Sequence, residues 1–197
     1  MISIDKEYSA LYEIQKSKFY SFAYPVFDVS KVNEIIESIR EEYKGATHVC
    51  YAYVLDSPKV EKMSDDGEPT GTAGKPMLEL LKKKKLSNVL LVVVRYFGGI
   101  KLGAGGLVRA YTTAGNMALN DIKISEFVEV KKYLAICPCD IGARVISSIQ
   151  SMGGKILSNV FGEKVSIEFV SGVDVSKLSA LYKDVEIKEL GRELRCQ

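Results

Sequence analysis

The sequence predicts an α+β protein of two domains, residues 1–128 and 129–197. Three observations carry that prediction. The run NVLLVVVRY (88–96) is continuously apolar and β-branched, as in a strand buried on both faces at the centre of a sheet. Val32, Ile35, Ile36, Ile39 and Tyr43 recur at helical spacing, which supplies a helix to cover one face of that sheet. Beyond residue 128 the composition restarts, and the remaining segments read β-α-β-β-α-β, the ferredoxin-like order.

Taken in order, residues 8–14 and 19–27 are rich in Tyr, Phe, Val and Ile, and the polar QKSK between them marks a hairpin. Ser30 is placed to cap the following helix and Gly45 to stop it. HVCYAYVL (48–55) is the next strand. SDDGEPTGTAGKP (64–76) is too broken by glycine, proline and acids for helix or strand, and is expected to be a long loop. KPMLELLKKKK then reads as a helix with proline at an early position and lysines in its last turn, where the helix dipole favours cations. After the central strand comes RYFGGIKLGAGGLVRAY (95–111), and Leu107, Tyr111, Ala114 and Ala118 at helical intervals place its glycines between a strand and a helix N-terminus.

Residues 122–130 form one more alternating segment, and KKYLAICPC (131–139) is read as a separate strand. A helix over 140–152 ends at Gly153-Gly154. Strands at 155–161 and 164–170 meet in a tight turn at Gly162-Glu163, and a helix at 174–183 and a strand at 184–190 complete the set.

Charge narrows the function classes. Lysine plus arginine total 27 against 25 acids, a formal net charge of +2, which lacks the excess of a constitutive DNA binder. Any nucleic-acid surface must therefore be local. No basic lead with an apolar core opens the chain, and no apolar run approaches a membrane span, so the expectation is a cytoplasmic protein with no membrane contact. Cys50, Cys137, Cys139 and Cys196 lack the spacing of a disulfide framework and are expected to be reduced. With His48 the single histidine and one residue between Cys137 and Cys139, neither a metal nor another cofactor is expected.

The chemistry-bearing residues gather in two segments. Glycines at a helix N-terminus let an anion reach unpaired backbone N–H groups, and Gly98, Gly99, Gly103, Gly105 and Gly106 fit that use. Arg95, Lys101 and Arg109 add charge-assisted donors, with Lys75 at the start of the preceding helix as a further cation. The alternative is structural: the glycines permit tight strand-to-helix packing, and Arg95 pairs with a carboxylate of the acidic loop. In that loop Asp65, Asp66 and Glu68 can hold a divalent ion, act as acid and base, or answer the arginines. His48 and Cys50, two apart on a strand, share a face as a conceivable nucleophile pair. These five residues are the candidates if there is catalysis, and none is assigned a catalytic role.

SDDGEPTGTAGKPMLELL followed by NVLLVVVRYFGGIKLGAGGLVRAY, with KSKF and ATHVCYAY before them, closely resembles the signature of the YigZ/IMPACT family over about residues 16–120. The chain departs from that pattern at Val49, where members often have a second histidine, and at Thr112, where they often have glycine. The resemblance implies an N-terminal domain with the fold of the second domain of a small-subunit ribosomal protein. It also implies a C-terminal ferredoxin-like domain similar to one in elongation factor G, as bacterial members carry. Eukaryotic IMPACT proteins restrain a kinase of translation initiation through an additional N-terminal module, so what carries over is a general link to translation.

Together these readings give a non-enzymatic, translation-associated regulator that binds RNA or the ribosome on the Arg-flanked glycine loop; other proteins are a further class of partner, and a pure protein-interaction module is a third alternative. The rival is a small enzyme that binds a phosphorylated metabolite there, with the acidic-loop carboxylates as base or Mg²⁺ ligands.

Overall fold

The computed structural model describes residues 1–172 and 175–196, the side chain of residue 196 apart. It is of mixed α+β class and divides into two compact units, Met1–Glu126 and Phe127–Gln197.

In the first unit five antiparallel strands pair in the order β2 (Tyr8–Ile14), β3 (Ser17–Pro25), β6 (Val89–Tyr96), β4 (His48–Asp56) and β5 (Lys59–Ser64). The continuously apolar β6 is the middle strand. Successive side chains of a strand point to opposite faces, so its run feeds two cores at once. Leu90, Val92 and Val94 meet Val32, Ile36 and Ile39 of α1 (Val29–Glu42) on one face. Val89, Leu91 and Val93 meet Met77 and Leu81 of α2 (Gly74–Lys83) and Leu107, Tyr111 and Ala114 of α3 (Gly103–Ala118) on the other. Each fully buried aliphatic side chain of this kind contributes roughly 1.5–3 kcal/mol relative to exposure. Arg95 follows Val93 by two residues and so points to the α2/α3 side.

Several boundaries differ from expectation, each for a local reason. A short β1 (Ile2–Ile4) precedes the hairpin and pairs with residues 124–126 of β7 (Ile124–Cys137). β5 was not expected, because KVEKMS shows too many charged positions to read as a strand; it is an edge strand with largely exposed side chains. The segment 64–76 contains the end of β5 and the start of α2, so the irregular stretch is only Asp65–Ala73. Helix α1 is capped by Asp28, whose Oδ1 accepts from the Lys31 N–H at 2.8 Å, and not by Ser30, which lies inside the helix. Gly45, with φ +83°, stands two residues beyond the C-cap Tyr43.

β7, read from sequence as two segments, is one strand, and the second unit begins within it at Phe127. Residues 127–136 of β7 pair with β10 (Glu186–Cys196) on one side and its residues 131–137 with β9 (Val165–Ser171) on the other, and β8 (Lys155–Phe161) pairs with β9. The order β10-β7-β9-β8 is antiparallel throughout. Helices α4 (Gly142–Ser151) and α5 (Ser176–Leu181) place Val145, Ile149 and Leu178 in a core with Ala135, Ile167 and Phe169. The expected helix 174–183 begins on residue 174, which lies outside the described residues, and β10 runs six residues past the expected end at 190.

Candidate functional site

The glycine loop is held where β6 ends. Thr47 N–H donates to the Arg95 carbonyl (2.8 Å), and the Phe97 N–H donates to Thr47 Oγ1 (3.0 Å). Gly98 N–H donates to Ser17 Oγ at 3.1 Å, and a Cβ added at Gly98 would lie 2.0 Å from the Lys16 carbonyl carbon. No side chain fits there, so Gly98 is required by the close approach of the β2–β3 turn. Gly99 and Gly103 have φ of +84° and +70°, the left-handed conformation that turns the chain into α3. Gly105 and Gly106 lie in the first turn of α3. The N-cap residue is Leu102, whose side chain cannot accept, and no other side chain among the described residues caps this end.

Each carboxylate of the acidic loop has partners within the protein. Asp65 accepts from the N–H groups of Gly71 (2.8 Å), Ala73 (3.0 Å) and Gly74 (2.8 Å), so its carboxylate caps α2. Burial works to raise the pKa of Asp65, but the three backbone donors outweigh it and hold the group below the ordinary carboxylate value. Asp66 grips Arg40 through both oxygens (2.7 and 3.3 Å) and accepts from the Val49 N–H at 2.6 Å. Glu68 is buried and its Oε1 accepts from Arg95 Nη1 (2.6 Å) and the Tyr111 hydroxyl (2.8 Å). Among the described residues no group of three or more His, Cys, Asp or Glu is placed to hold a metal ion.

Arg95 is only 5% exposed, and its guanidinium carbon lies 5.4 Å from the ring centroids of both Phe19 and Phe97. Its Nε is buried without a hydrogen-bond partner. His48 sits opposite Arg95 in the β4–β6 register; its Nδ1 is 2.8 Å from the Asp66 carbonyl and its Nε2 3.8 Å from Glu68 Oε2. Cys50 donates to the Asp65 carbonyl (3.0 Å) and the Tyr111 hydroxyl (3.4 Å). Burial pushes its thiol up to about 12, against the opposing pull of the Tyr111 contact, so the thiolate needed for nucleophilic attack is disfavoured at neutral pH. The Tyr111 hydroxyl is likewise pushed up, first by burial and then by Cys50 and Glu68.

His48, Glu68 and Arg95 border a cleft of about 330 Å³, which Cys50, Asp65, Asp66 and Tyr111 do not line. It brings together Glu68 of the acidic loop, Arg95, Lys101 and Gly103 of the glycine loop and His48 of β4, and adds Thr47, Pro69, Phe97, Leu102, Ala104 and Leu107. Arg109 is exposed further along α3, and Lys75 is exposed in the first turn of α2; neither lines the cleft. Gly98, Gly99, Gly105 and Gly106 shape the approach rather than the wall. Phe97, unremarked in the sequence, is 44% exposed at the cleft edge; an aromatic set directly before a glycine pair was the available signal. Arg40 was also missed as the partner of Asp66, and Tyr111, placed by its spacing in the core, proves also to be a ligand of Glu68.

The class of protein is thus an α+β chain of two units, the first carrying an uncapped, glycine-led helix end above a buried Glu–Arg pair. Residues 15–119 match the family model of the Impact N-terminal domain. The IMPACT family member YvyE of Bacillus subtilis is 48% identical over 114 residues, covering 57% of this chain and 52% of that protein. An IMPACT family member of Haemophilus influenzae is 36% identical over 185 residues, covering 91% and 88% of the two chains. YigZ of Escherichia coli is 37% identical over 150 residues, covering 75% and 74%. The chain belongs to the IMPACT family. Its match spans about half the length of the first of these relatives and most of the other two. A crystal structure described as that of a hypothetical protein superposes with a TM-score of 0.62 at 31% identity, over 94% of this chain and 95% of the other.

Proposed function

We propose that this protein is a non-enzymatic, translation-associated regulator of the cytoplasm that binds RNA, free or in the ribosome, at the N-terminal end of α3. The observation that carries the reading is that end itself: among the described residues no side chain caps its first N–H groups, Lys101 stands exposed two residues before it, and Arg109 adds an exposed cation further along the helix. Such an end attracts anions through its unpaired donors and dipole. Arg95 acts from beneath, offsetting the charge of Glu68 so that the buried carboxylate does not repel a phosphate. Gly103, Gly105 and Gly106 keep the backbone open to the ligand, while Gly98 and Gly99 fix the loop. Lys75 contributes only to the long-range field, since Asp65 already fills the end of α2.

The link to translation rests on family membership. It agrees with reading the first unit as the fold of the second domain of a small-subunit ribosomal protein. It agrees also with reading the second as a ferredoxin-like domain akin to one of elongation factor G, which the β7-α4-β8-β9-α5-β10 sequence and the β10-β7-β9-β8 order support. Binding of short fluorescent RNA across a salt series tests the site. Lys101→Ala with Arg109→Ala is expected to weaken binding and reduce the log–log salt slope by about two, roughly one per lost phosphate contact. Unchanged affinity and slope would overturn it.

One observation favours a second reading, a small enzyme acting on a phosphorylated metabolite: His48 Nε2 and Glu68 Oε2, 3.8 Å apart, both border the cleft as a possible acid and base. Asp65 and Asp66 are committed to internal partners, so the Mg²⁺ version of that reading loses its best ligands. A metabolite screen by thermal shift, with and without Mg²⁺, discriminates the two.

A further inference from the structure

The cleft beside α3 is larger and more apolar than a phosphate requires. Pro69, Phe97, Leu102 and Leu107 form much of its wall, and Phe97 keeps 44% of its surface exposed with a guanidinium 5.4 Å from its ring centre. A phosphate alone would use none of these. The remaining wall is polar: Glu68 and His48 present a carboxylate and an imidazole, Lys101 a cation, and Gly103 the open helix end. Beneath them the buried Nε of Arg95 is a donor with no acceptor among the described residues. A buried polar group left without a partner is destabilising, so this wall carries a polar cost that the protein's own groups do not offset.

We infer that the cleft seats one unstacked nucleotide of a single strand, with its base against Phe97 and its phosphate at Lys101 and the N-terminal N–H groups of α3. This inference rests on the RNA-binding reading above and narrows it. Aromatic rings stack any base because every base has a π-face, whereas a base paired within an A-form duplex is not free to enter. Mixed donors and acceptors at Glu68, His48 and Arg95 suit the edge of a base, which carries both. The small positive net charge of the chain also fits a site in which stacking supplements a few phosphate contacts.

The test uses the full chain and fluorescence anisotropy with four probes: a short single-stranded oligoadenylate, the same strand with abasic positions, a blunt RNA duplex, and free AMP as competitor. The intact strand is expected to bind roughly ten-fold or more tightly than the abasic strand. The duplex should fall with the abasic strand, and AMP should displace the intact strand. Phe97→Ala should lose that advantage while leaving the abasic strand unaffected, and Phe97→Tyr should retain it. The abasic comparison is made on the unaltered protein, so it stands even if Phe97→Ala fails to fold.

Equal binding of intact, abasic and duplex RNA, all weakened by Lys101→Ala, would overturn the nucleotide seat and leave the phosphate contact standing. Binding of AMP with no affinity for any strand would overturn the single-strand form and the RNA reading, and give the cleft to a free mononucleotide. No binding of any probe would remove both.

Discussion

Helices α2 and α3 lie on the same face of one sheet, and both begin at a glycine with an apolar residue at the N-cap, Ala73 and Leu102. One end is filled and the other is open. At α2 the Asp65 carboxylate takes three backbone donors, so the helix end is completed from within the chain. At α3 no side chain among the described residues makes a cap hydrogen bond, and the carboxylate nearest the cleft, Glu68, is tied to Arg95 and Tyr111 instead. The same local device therefore serves structure in one place and leaves a ligand position in the other. Its use is decided by whether a distant carboxylate reaches it.

The sharpest way to break this contrast is through the pair beneath the open end. Glu68→Ala leaves the buried Arg95 guanidinium uncompensated and should lower unfolding stability by about 3 kcal/mol or more, read from urea denaturation at neutral pH. A loss below about 1 kcal/mol would place the pair with exposed ion pairs. Next in size is Gly98→Ala, whose new Cβ would overlap the Lys16 backbone and should destabilise by about 2 kcal/mol. Gly105→Ala, with nothing within 4 Å of the added carbon, should be neutral or stabilising in the same assay.

Asp65→Ala should cost about 1 kcal/mol at neutral pH as the α2 cap is lost. Because the folded protein holds Asp65 below its ordinary value of 3.8, its contribution is complete above that value and fades as pH falls through the lower, folded pKa. The gap between wild type and Asp65→Ala should close on acidification below 3.8; a constant gap would mean the carboxylate is not the cap. The smallest effect makes α3 resemble α2. Ala104→Glu places an acid in the first turn and should raise stability by about 0.5 kcal/mol while weakening RNA binding. Loss of stability, or unchanged binding, would show that the open end is not the anion position.

The elements were legible in the sequence wherever one period dominated: the buried run of β6, the stripe of α1, the glycine-to-helix passage into α3. β5 and the cap of α1 were not, because an exposed edge strand shows little alternation and Asp28 and Ser30 are both good caps by type. The site was half legible. Residue types and turn chemistry drew attention to Asp65, Asp66, Glu68 and Arg95, but their partners are set by long-range pairing. Arg40 is 26 residues from Asp66 and Tyr111 is 43 from Glu68, and no local pattern encodes such distances. Phe97 escaped notice because a single exposed aromatic has no period.

The segment from Asp65 to Glu68 has no regular secondary structure, yet it bonds to α1 through Arg40, to β4 through Val49, to the end of α2, to β6 through Arg95 and to α3 through Tyr111. Contacts closed over such sequence distances carry a loop-closure cost that the packing of the elements they join must offset. Releasing the loop then means breaking its bonds to all five elements together, so local opening is suppressed. In hydrogen exchange the amides of Gly71, Ala73 and Gly74 should accordingly be protected as long as those of the central strand, and what the backbone pattern calls a loop behaves in time as part of the core.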